Sequence, residues 1–552
     1  MKMTIKMTTP RLLILALTLC ACSADSGPTT PGPGGQTPKP PNVWDIGPGG
    51  QHATLTAAIT ALQQQGVPQG GLLLAVAGGD YPERITVPPL PGASLESPVV
   101  FQSKGGVVTL TGAGTAEDPE AMITLDGCDH VTFDGINVRD MGSTDADRVE
   151  YGYLITGSEQ DGARHNAIRN ATITLQRHTS TVGVRGKSRA TAATAASATC
   201  DHNTIDAVTV DGAADGISWA GASELLGLIT EAPDRGITVA GCTLGQGSAL
   251  GHSGSKTSPT AFGISLANVV DARVQGNTIH RVKVDNAEPI LPHVVGGISL
   301  DSVSGDIHAN RVLEVTYSGT LGCAAIGIRA GLRDSGALRI YNNFVTGMNR
   351  SNYKTGTDAD TSISLSGIWL FRACDSAGPV QVAHNTVVLE VLPKMEYDAA
   401  AIEISGGSSG QFKVKLHNNI LVVDSQSSEA GSQSYAVCDG NAQPGNLESD
   451  FNVIHAAGPR AFAGVTGREL GATPTECKSL ADWRKQSGQD ASSVFVLPEL
   501  KSRTDLHLSG GSSGDPQLGG TPLDFVTVDI DGEPRSSTRP YRGADEADVP
   551  LS

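Results

Sequence analysis

A short phrase, Gly-Ile-x-Leu or a close variant, recurs in the middle of the chain and sets one variable residue between two apolar ones. Alternate side chains of a strand point to opposite faces, so the apolar pair is expected inside and the variable residue outside. The variable residues are Ser265, Ser299, Arg329, Trp369 and Glu403. A cation, an indole and a carboxylate on neighbouring strands are typical of a carbohydrate site. The ring stacks on a sugar, the guanidinium binds a uronate or sulfate, and the carboxylate moves a proton.

Two more residues, Asp301 and Phe371, lie two places further along their strands and are predicted to join this face. The predicted substrate-binding residues are Arg329, Trp369, Phe371 and Glu403. The candidate catalytic residues are Glu403, Asp301 and Arg329. An ordinary solvated face explains the same pattern, with Trp369 covering loop residues and Arg329 meeting a carboxylate.

A second exterior row is obtained by counting back four residues from each member of a repeated asparagine series. It consists of Arg273, Asp306, Arg339, Gln381 and Lys415, with Lys413 nearby. Three cations among five positions indicate a partly basic stripe that could bind an anion. A solvated strand face accounts for it almost as well, because isolated exposed charges are weak evidence.

The asparagine series is the strongest internal repeat, and each copy reads Asn, any residue, then Ile, Val or Leu. Its members begin at Asn203, Asn277, Asn310, Asn343, Asn385, Asn419 and Asn452, with Cys242 filling one slot and Asn170 a degenerate copy. Between them lie alternating segments of strand type. Strands this short cannot bury themselves alone, whereas stacked coils can, with inward asparagines forming an amide ladder. The sequence therefore predicts an all-β protein, a right-handed parallel β-helix.

Both open ends of such a rod need covers. Residues Thr54 to Gln65 predict an N-terminal capping helix, because Leu55, Ala58, Ile59 and Leu62 form one apolar stripe. A short helix from Leu480 to Lys485, around Trp483, is predicted within an irregular C-terminal cap. The predicted organisation is a signal peptide at 1–21, a tether at 22–42, the β-helix at 43–455, and the C-terminal cap and tail at 456–552.

The chain resembles the pectin lyase-like superfamily of right-handed β-helix proteins. The opening Gly47-Pro-Gly-Gly-Gln-His-Ala-Thr-Leu and the later Gly79-Asp-Tyr-Pro-Glu-Arg are similar to the start of pectinesterase-type domains. The closing Asp531-Gly-Glu-Pro-Arg and Gly543-Ala-Asp-Glu resemble the tails of uncharacterised surface β-helix proteins. If the protein is an enzyme, the resemblance implies a polysaccharide lyase or a glycoside hydrolase.

The enzymatic signatures of that superfamily are mostly missing. Of the polygalacturonase pattern only Gly251-His-Ser-Gly and Arg281-Val-Lys remain, and the pectate lyase and pectinesterase motifs are not recognisable. We therefore expect a protein that binds or processes a polysaccharide or another cell-surface polymer. The alternative is a non-catalytic structural or adhesin-like stalk, which the low aromatic content of 4% favours.

The N-terminus predicts export. Lys2, Lys6 and Arg11 precede an apolar stretch too short to span a bilayer. The ending Leu19-Cys20-Ala21-Cys22 resembles a bacterial lipobox, which implies cleavage before Cys22 and acylation of that cysteine. The alternative is a secreted protein cut near Ala24. A proline-rich tether follows, so the folded part is expected at a bacterial outer membrane or cell surface, with the lipid as its only membrane contact.

A formal net charge of −18 argues against nucleic acid as a partner. Cysteine spacing supports no zinc site, and we predict a Cys438–Cys477 disulfide in the irregular C-terminal part. No cofactor is required by any motif. A Ca²⁺ ion held by Asp126, Asp129 and Asp134 is a possibility, although Asp-Gly pairs are more often plain turns. We expect a monomer.

Overall fold

Strands pair in parallel with their counterparts one coil away and build a right-handed β-helix of about ten turns. The predicted fold class is confirmed by this pairing. The computed structural model describes residues 42–551, apart from 116–119, 145, 192–193, 223–231, 255–259, 288–293, 320–323, 332–335, 352–364, 372–379, 394, 396, 406–412, 430, 441–445 and 469–472. The predicted signal peptide, tether and lipidated Cys22 lie outside the described residues.

The described part contains short strands and few helices. The strands of the N-terminal coils are β1 (Asn42–Ile46), β2 (Leu72–Tyr81), β3 (Ile85–Val87), β4 (Val99–Gly112), β5 (Ala121–Asp126), β6 (Val131–Asp134), β7 (Ile136–Asp140), β8 (Tyr151–Thr156), β9 (Ala167–Arg169), β10 (Thr172–Thr174), β11 (Val182–Lys187), β12 (Thr204–Asp206) and β13 (Thr209–Asp211). Those of the central coils are β14 (Asp215–Ala220), β15 (Asp234–Arg235), β16 (Thr238–Ala240), β17 (Thr243–Leu244), β18 (Leu250–Ser253), β19 (Ala261–Gln275), β20 (Thr278–Ile279), β21 (Val282–Ala287), β22 (Val294–His308), β23 (Arg311–Val312), β24 (Val315–Gly319), β25 (Ala324–Gly331), β26 (Leu338–Tyr341), β27 (Phe344–Thr346) and β28 (Met348–Ser351).

The C-terminal coils continue the same order. Their strands are β29 (Leu365–Phe371), β30 (Val380–Ala383), β31 (Thr386–Val391), β32 (Ala399–Ser405), β33 (Val414–His417), β34 (Ile420–Ser425), β35 (Ser434–Asp439), β36 (Leu447–Asp450), β37 (Val453–Ala457), β38 (Ala461–Thr466) and β39 (Thr475–Cys477). The helices are α1 (Leu55–Gln65), α2 (Ala195–Ala198) and α3 (Leu480–Ser487), with 3₁₀ turns at Gly510–Ser512 and Pro516–Leu518. None of the helices in the described ranges is long and apolar enough to cross a bilayer.

Each central coil contributes one strand to each of three sheets. In one coil, β25 belongs to the first sheet, β26 to the second and β27 to the third, and β29, β30 and β31 stack on them in the next coil. A small fourth sheet of β18, β21, β24 and β28 follows the third sheet in four coils. Inward Ile, Leu and Val side chains of the three main sheets form one continuous core.

The glycines of the repeated phrase mark a close approach between the first and third sheets. A Cβ atom at Gly327 would collide with a methyl group of Val345, and one at Gly367 with a methyl group of Val387. The coil is therefore flattened where these strands face each other. Ala401 is the largest residue that this position holds among the five copies of the phrase.

The predicted asparagine ladder lies at the corner between the second and third sheets. Its fully buried members are Asn277, Asn310, Asn343, Asn385, Asn419 and Asn452. Each Nδ2 donates to the Oδ1 of the next member at 2.9–3.0 Å, and each backbone N–H donates to the same oxygen at 2.9–3.1 Å. Cys242 fills the slot before Asn277, whose Oδ1 accepts the Cys242 backbone N–H at 2.9 Å.

The sequence spacing assigns Asn203 to this ladder, and that assignment is wrong. Thr204 pairs with Thr238, whereas Thr209 pairs with Thr243 beside Cys242, so Asn203 lies five residues earlier in its coil. It belongs to the corner between the first and second sheets, where its Oδ1 accepts the backbone N–H of Asn166 at 3.0 Å. Two corners of the coil therefore use buried asparagines, and the sequence phrase does not separate them.

The residue before each ladder position adopts left-handed backbone. The φ angles are +64° at Gly276, +54° at Ala309, +52° at Asn342, +51° at His384, +59° at Asn418 and +56° at Phe451. One such residue followed by the buried amide turns the chain from the second sheet into the third. Small, amide or imidazole side chains occupy this position in the other coils, and Phe451 is the departure from that pattern.

Both predicted caps are present. Helix α1 buries Leu55, Ala58, Ile59 and Leu62 against the first coils, and Thr54 Oγ1 accepts the Ala57 N–H at its start. In α3, Trp483 is fully buried against Gly464 of β38, and its Nε1 donates to Asp490 Oδ2 at 2.8 Å. Strand β38 still pairs in parallel with β35, so the coil ladder continues past the predicted end of the β-helix at residue 455.

The remainder of the predicted C-terminal cap and tail does not cover the end of the rod but folds back along its side. Residues 494–551, here called the C-terminal segment, cover the exterior of the third sheet and bury Phe344 and Ile420. Arg535 is buried and donates to Asn342 Oδ1 at 2.8 Å, and Asp531 pairs with Arg311 at 2.6 Å. The C-terminal segment thereby shields the apolar exterior of the third sheet from water.

The predicted disulfide is not formed, because Cys438 and Cys477 are both free and buried. Cys438 points outward, in the same row as Val465, whereas Cys477 lies opposite Gly464 and packs in the core. The two thiols therefore face opposite sides of the first sheet. Cys323 and Cys374 lie outside the described residues.

The ladder generates a stability prediction. Asn385→Ala removes the oxygen that accepts both the backbone and side-chain N–H groups of Asn343, and it leaves the Ile340 carbonyl without its amide donor. We expect the free energy of unfolding to fall by about 2–4 kcal/mol, measured by urea denaturation. Asn349→Ala, at a partly exposed site on the fourth sheet, is the control and should change it by less than about 0.5 kcal/mol. Equal effects of the two substitutions would contradict a structural role for the ladder.

Candidate functional site

The predicted exterior row is in register on successive strands of the first sheet. Ser299 pairs with Arg329, Arg329 with Trp369, and Trp369 with Glu403. The row continues on one side through Ser265, which pairs with Ser299, and on the other through Cys438, which pairs with Glu403. Counting along the Gly-Ile-x-Leu phrase therefore places these side chains correctly.

Arg329, Trp369 and Phe371 form a stacked cation–aromatic cluster. The Arg329 guanidinium carbon lies 3.9 Å from the Phe371 ring centroid and 5.8 Å from that of Trp369. The two rings stack at a centroid distance of 4.7 Å. Arg329 Nη1 donates to Ser299 Oγ at 3.0 Å, which fixes the guanidinium plane along the row. The cluster offers a positive charge and aromatic surface side by side.

Glu403 lies next to this cluster and is only 7% exposed. Ser366 Oγ donates to Glu403 Oε2 at 2.6 Å, and Ser405 Oγ donates to Oε1 at 3.0 Å. Ser405 also accepts the indole N–H of Trp369 at 2.8 Å, so the carboxyl and the indole share one hydroxyl. Burial raises the pKa of Glu403 to about 7, against the opposing effect of the two serine hydrogen bonds. The carboxyl is poised to gain or lose a proton near neutral pH.

A second charged group flanks Glu403 on the side of the C-terminal coils. Arg468 pairs with Asp398, and its guanidinium carbon lies 5.3 Å from the Tyr435 ring centroid. Tyr435 Oη donates to Glu476 Oε1 at 3.0 Å. Sequence reasoning missed these residues, as well as Ser366 and Ser405. Ser405 could have been found, since it lies two places after Glu403 on the same face, whereas Arg468 follows the last copy of the repeat.

Asp301, the third candidate catalytic residue, does not come close to Glu403. It pairs with Gly331, which pairs with Phe371, which in turn pairs with Ser405, three coils from Asp301. At roughly 4.8 Å per coil this separation is about 14 Å along the axis. Paired carboxylates of glycoside hydrolases lie about 5–9.5 Å apart, so Asp301 and Glu403 do not form such a pair.

The second exterior row is also in register, but its charges are paired. Arg339 binds Asp306 through two hydrogen bonds of 2.5 and 2.8 Å, and Lys415 lies 3.0 Å from Glu448. The predicted basic stripe is therefore largely neutralised. Beside it, Phe525 of the C-terminal segment packs edge-on against Tyr341 at 5.6 Å and borders a groove of about 500 Å³.

Two of the carboxylates considered for Ca²⁺, those of Asp129 and Asp134, accept hydrogen bonds from neighbouring coils. Asp129 Oδ1 accepts the Arg164 N–H at 2.7 Å, and Asp134 accepts from Gln102 and Asn170. In the described part of the chain, the group with metal-ligand proximity is His507, Asp531 and Asp545. Both ring nitrogens of His507 already bind carboxylates, of Asp505 and Asp531, and Asp531 also pairs with Arg311. This group ties the C-terminal segment to the rod.

Comparison with known proteins adds little beyond the fold. No protein-family model matches the chain, and no curated protein matches it. Similar solved structures include XylC with xylose (9% identity, 78% of this chain and 86% of that chain, TM-score 0.41) and PfbA, a surface adhesin of Streptococcus pneumoniae (11%, 76% and 90%, 0.38). Pectate lyase Pel9A is another (14%, 90% and 92%, 0.33). At these low scores no activity is carried over to this chain.

Titration of Glu403 gives a pH-dependent prediction. The folded protein retains this proton up to about pH 7, whereas a free glutamate ionises near 4.5, so the native state binds more protons between these values. The contribution of this proton to the free energy of unfolding is therefore complete below pH 4.5 and is lost as the pH rises through 7. We expect Glu403→Gln to match wild type at pH 4 and to exceed its free energy of unfolding by up to about 3 kcal/mol at pH 8.

Ser366→Ala is the matched variant for this measurement. It removes a hydrogen bond that favours the ionised carboxylate, so the fall in stability should move to higher pH. Denaturant midpoints recorded from pH 4 to 9 measure both effects. If the free energy of unfolding of Glu403→Gln differed from that of the wild type by the same amount at every pH, a raised pKa of Glu403 would be contradicted.

Proposed function

We propose that this protein binds an acidic polysaccharide on the exterior of the first sheet. The contact of Arg329 with two aromatic rings of the neighbouring coil is the observation that supports it most. Trp369 and Phe371 provide apolar surface for sugar rings, and Arg329 provides the planar donor for a uronate or sulfate group. Coils spaced about 4.8 Å apart form a straight row, which suits a linear polymer better than a compact ligand.

The same geometry favours binding over hydrolysis. Glu403 is buried and accepts hydrogen bonds from two serine hydroxyls, and Asp301 lies three coils away. Glu403 then acts as a positioning residue, because Ser405 links it to the indole N–H of Trp369. A non-catalytic adhesin-like stalk remains the second candidate, favoured by the hydrogen bonds and stacking that the row makes within itself.

Display at a bacterial cell surface is part of this proposal. Acylation of Cys22 would hold the protein at a membrane, and the proline-rich tether would lift the rod away from it. Mass spectrometry of the purified N-terminal peptide tests this step. A peptide that begins near Asp25 and carries no lipid would overturn it.

Polysaccharide binding is tested with a panel of acidic and neutral polymers: polygalacturonate, alginate, dextran sulfate, xylan and mannan. We expect binding to an acidic member that weakens with salt, and at least tenfold weaker binding in Trp369→Ala and Arg329→Ala. Ser265→Ala, two coils along the same row, is the control and should bind as wild type does. Failure to bind any acidic polymer, or unchanged binding in Trp369→Ala, would refute the proposed site.

A further inference from the structure

A groove on the second sheet has the features of a separate ligand site. It lies between the exterior of β30, β33 and β36 and residues 521–525 of the C-terminal segment, and it encloses about 500 Å³. Small-molecule sites typically enclose about 300–1,000 Å³. The groove shares its coils with Trp369 and Glu403 but opens on a different face of the rod.

The groove exists because one column of side chains drops abruptly in size. His308 and Tyr341 stack at 4.7 Å on successive coils, and the next residue of that column is Ala383, followed by His417 and Asp450. The methyl group of Ala383 leaves a depression where a third ring would fit. Phe525, whose ring is perpendicular to that of Tyr341, forms the wall at that end.

Phe451 forms part of the opposite end of the groove, and its backbone adopts a strained left-handed conformation there. Its φ of +56° occurs at the corner position that holds glycine, alanine, asparagine or histidine in the other coils. A bulky residue is disfavoured in left-handed backbone, and such strain is most often retained where the side chain has a role. Here the ring of Phe451 borders the groove and is partly exposed.

The charges of the lining select against anions. Among the lining residues, Lys415 is the one lysine, whereas Glu448, Asp450 and Asp490 contribute three carboxylates. Lys415 already forms an ion pair with Glu448 at 3.0 Å. Asp490 is buried and accepts hydrogen bonds from Trp483 and Ser449. The groove therefore offers mixed donors and acceptors between two phenyl rings with no excess of positive charge. Hydroxyl groups and the apolar faces of uncharged sugars match this lining.

We propose that this groove binds a neutral oligosaccharide or the end of a neutral glycan chain. Gln381 supplies an amide, and His417 and Asp450 supply groups on the adjacent column. Phe451 and Phe525 contact the sugar faces from the two ends. This site is independent of the acidic-polymer site on the first sheet, so either can fail without the other.

The decisive variant is Phe451→Asn, because it separates binding from folding. Asparagine occupies the same position in two other coils, at Asn342 and Asn418, so the substitution relieves the backbone while removing the ring. We expect an unchanged or higher melting temperature together with at least tenfold weaker binding. If Phe451 only supports Arg542, whose guanidinium lies 5.8 Å from its ring centroid, the melting temperature falls and binding persists. That result would overturn the proposal.

Binding is measured by calorimetry with hexasaccharides of β-1,4-linked glucose, xylose and mannose, and with a galacturonic acid hexamer. We expect at least one neutral hexamer to bind and Gln381→Ala to weaken it tenfold or more. Any binding of the acidic hexamer, which the first sheet would account for, should be unchanged by Gln381→Ala. Arg273→Ala, in the same row but outside the groove, and Trp369→Ala, on the other face, should bind the neutral hexamer as wild type does. No binding of any neutral hexamer, or binding in Gln381→Ala and Phe451→Asn that equals that of the wild type, would refute the site.

Discussion

The buried amide ladder is the constraint on which the rest of the rod depends. Each member satisfies the backbone N–H of the preceding coil and a buried carbonyl as well as its neighbour's amide, so a coil cannot slip without breaking several buried hydrogen bonds. That fixed register is what makes side chains on the exterior align in columns. The spacing of side chains in the Arg329 row and in the groove on the second sheet is set by this register.

The sequence predicted the parts that repeat and missed the parts that do not. The exterior row and the capping helix followed from alternation and from helical spacing, which depend only on local geometry. Asn203 was misplaced because two corners of each coil use asparagine. Interval length does not reveal the change of corner, because Asn343 and Asn385 are separated by more residues than Asn203 and Cys242 and still occupy the same corner.

Long-range contacts explain the remaining differences. The groove needs Phe525, which reaches β30 only because the C-terminal segment folds back, and nothing in the local sequence specifies that path. Its other end was readable, since Phe451 interrupts a column otherwise made of small, amide or imidazole side chains. The Cys438–Cys477 pairing failed for a related reason: closeness in an irregular region does not determine which face of a sheet each thiol occupies.

The two candidate sites differ in charge although the same coils build them. Residues Trp369 and Gln381 belong to one coil, and Glu403 and Lys415 to the next. On the first sheet, Arg329 stacks on aromatic rings beside a carboxyl that burial keeps protonated up to about pH 7, which leaves the face without a full negative charge near Trp369. On the second sheet, Arg339 and Lys415 are already paired with carboxylates, and carboxylates are in excess around the groove. Under the two proposals, an anionic chain and a neutral chain are directed to different faces of the rod, because the charges that would attract the first are absent from the groove that takes the second.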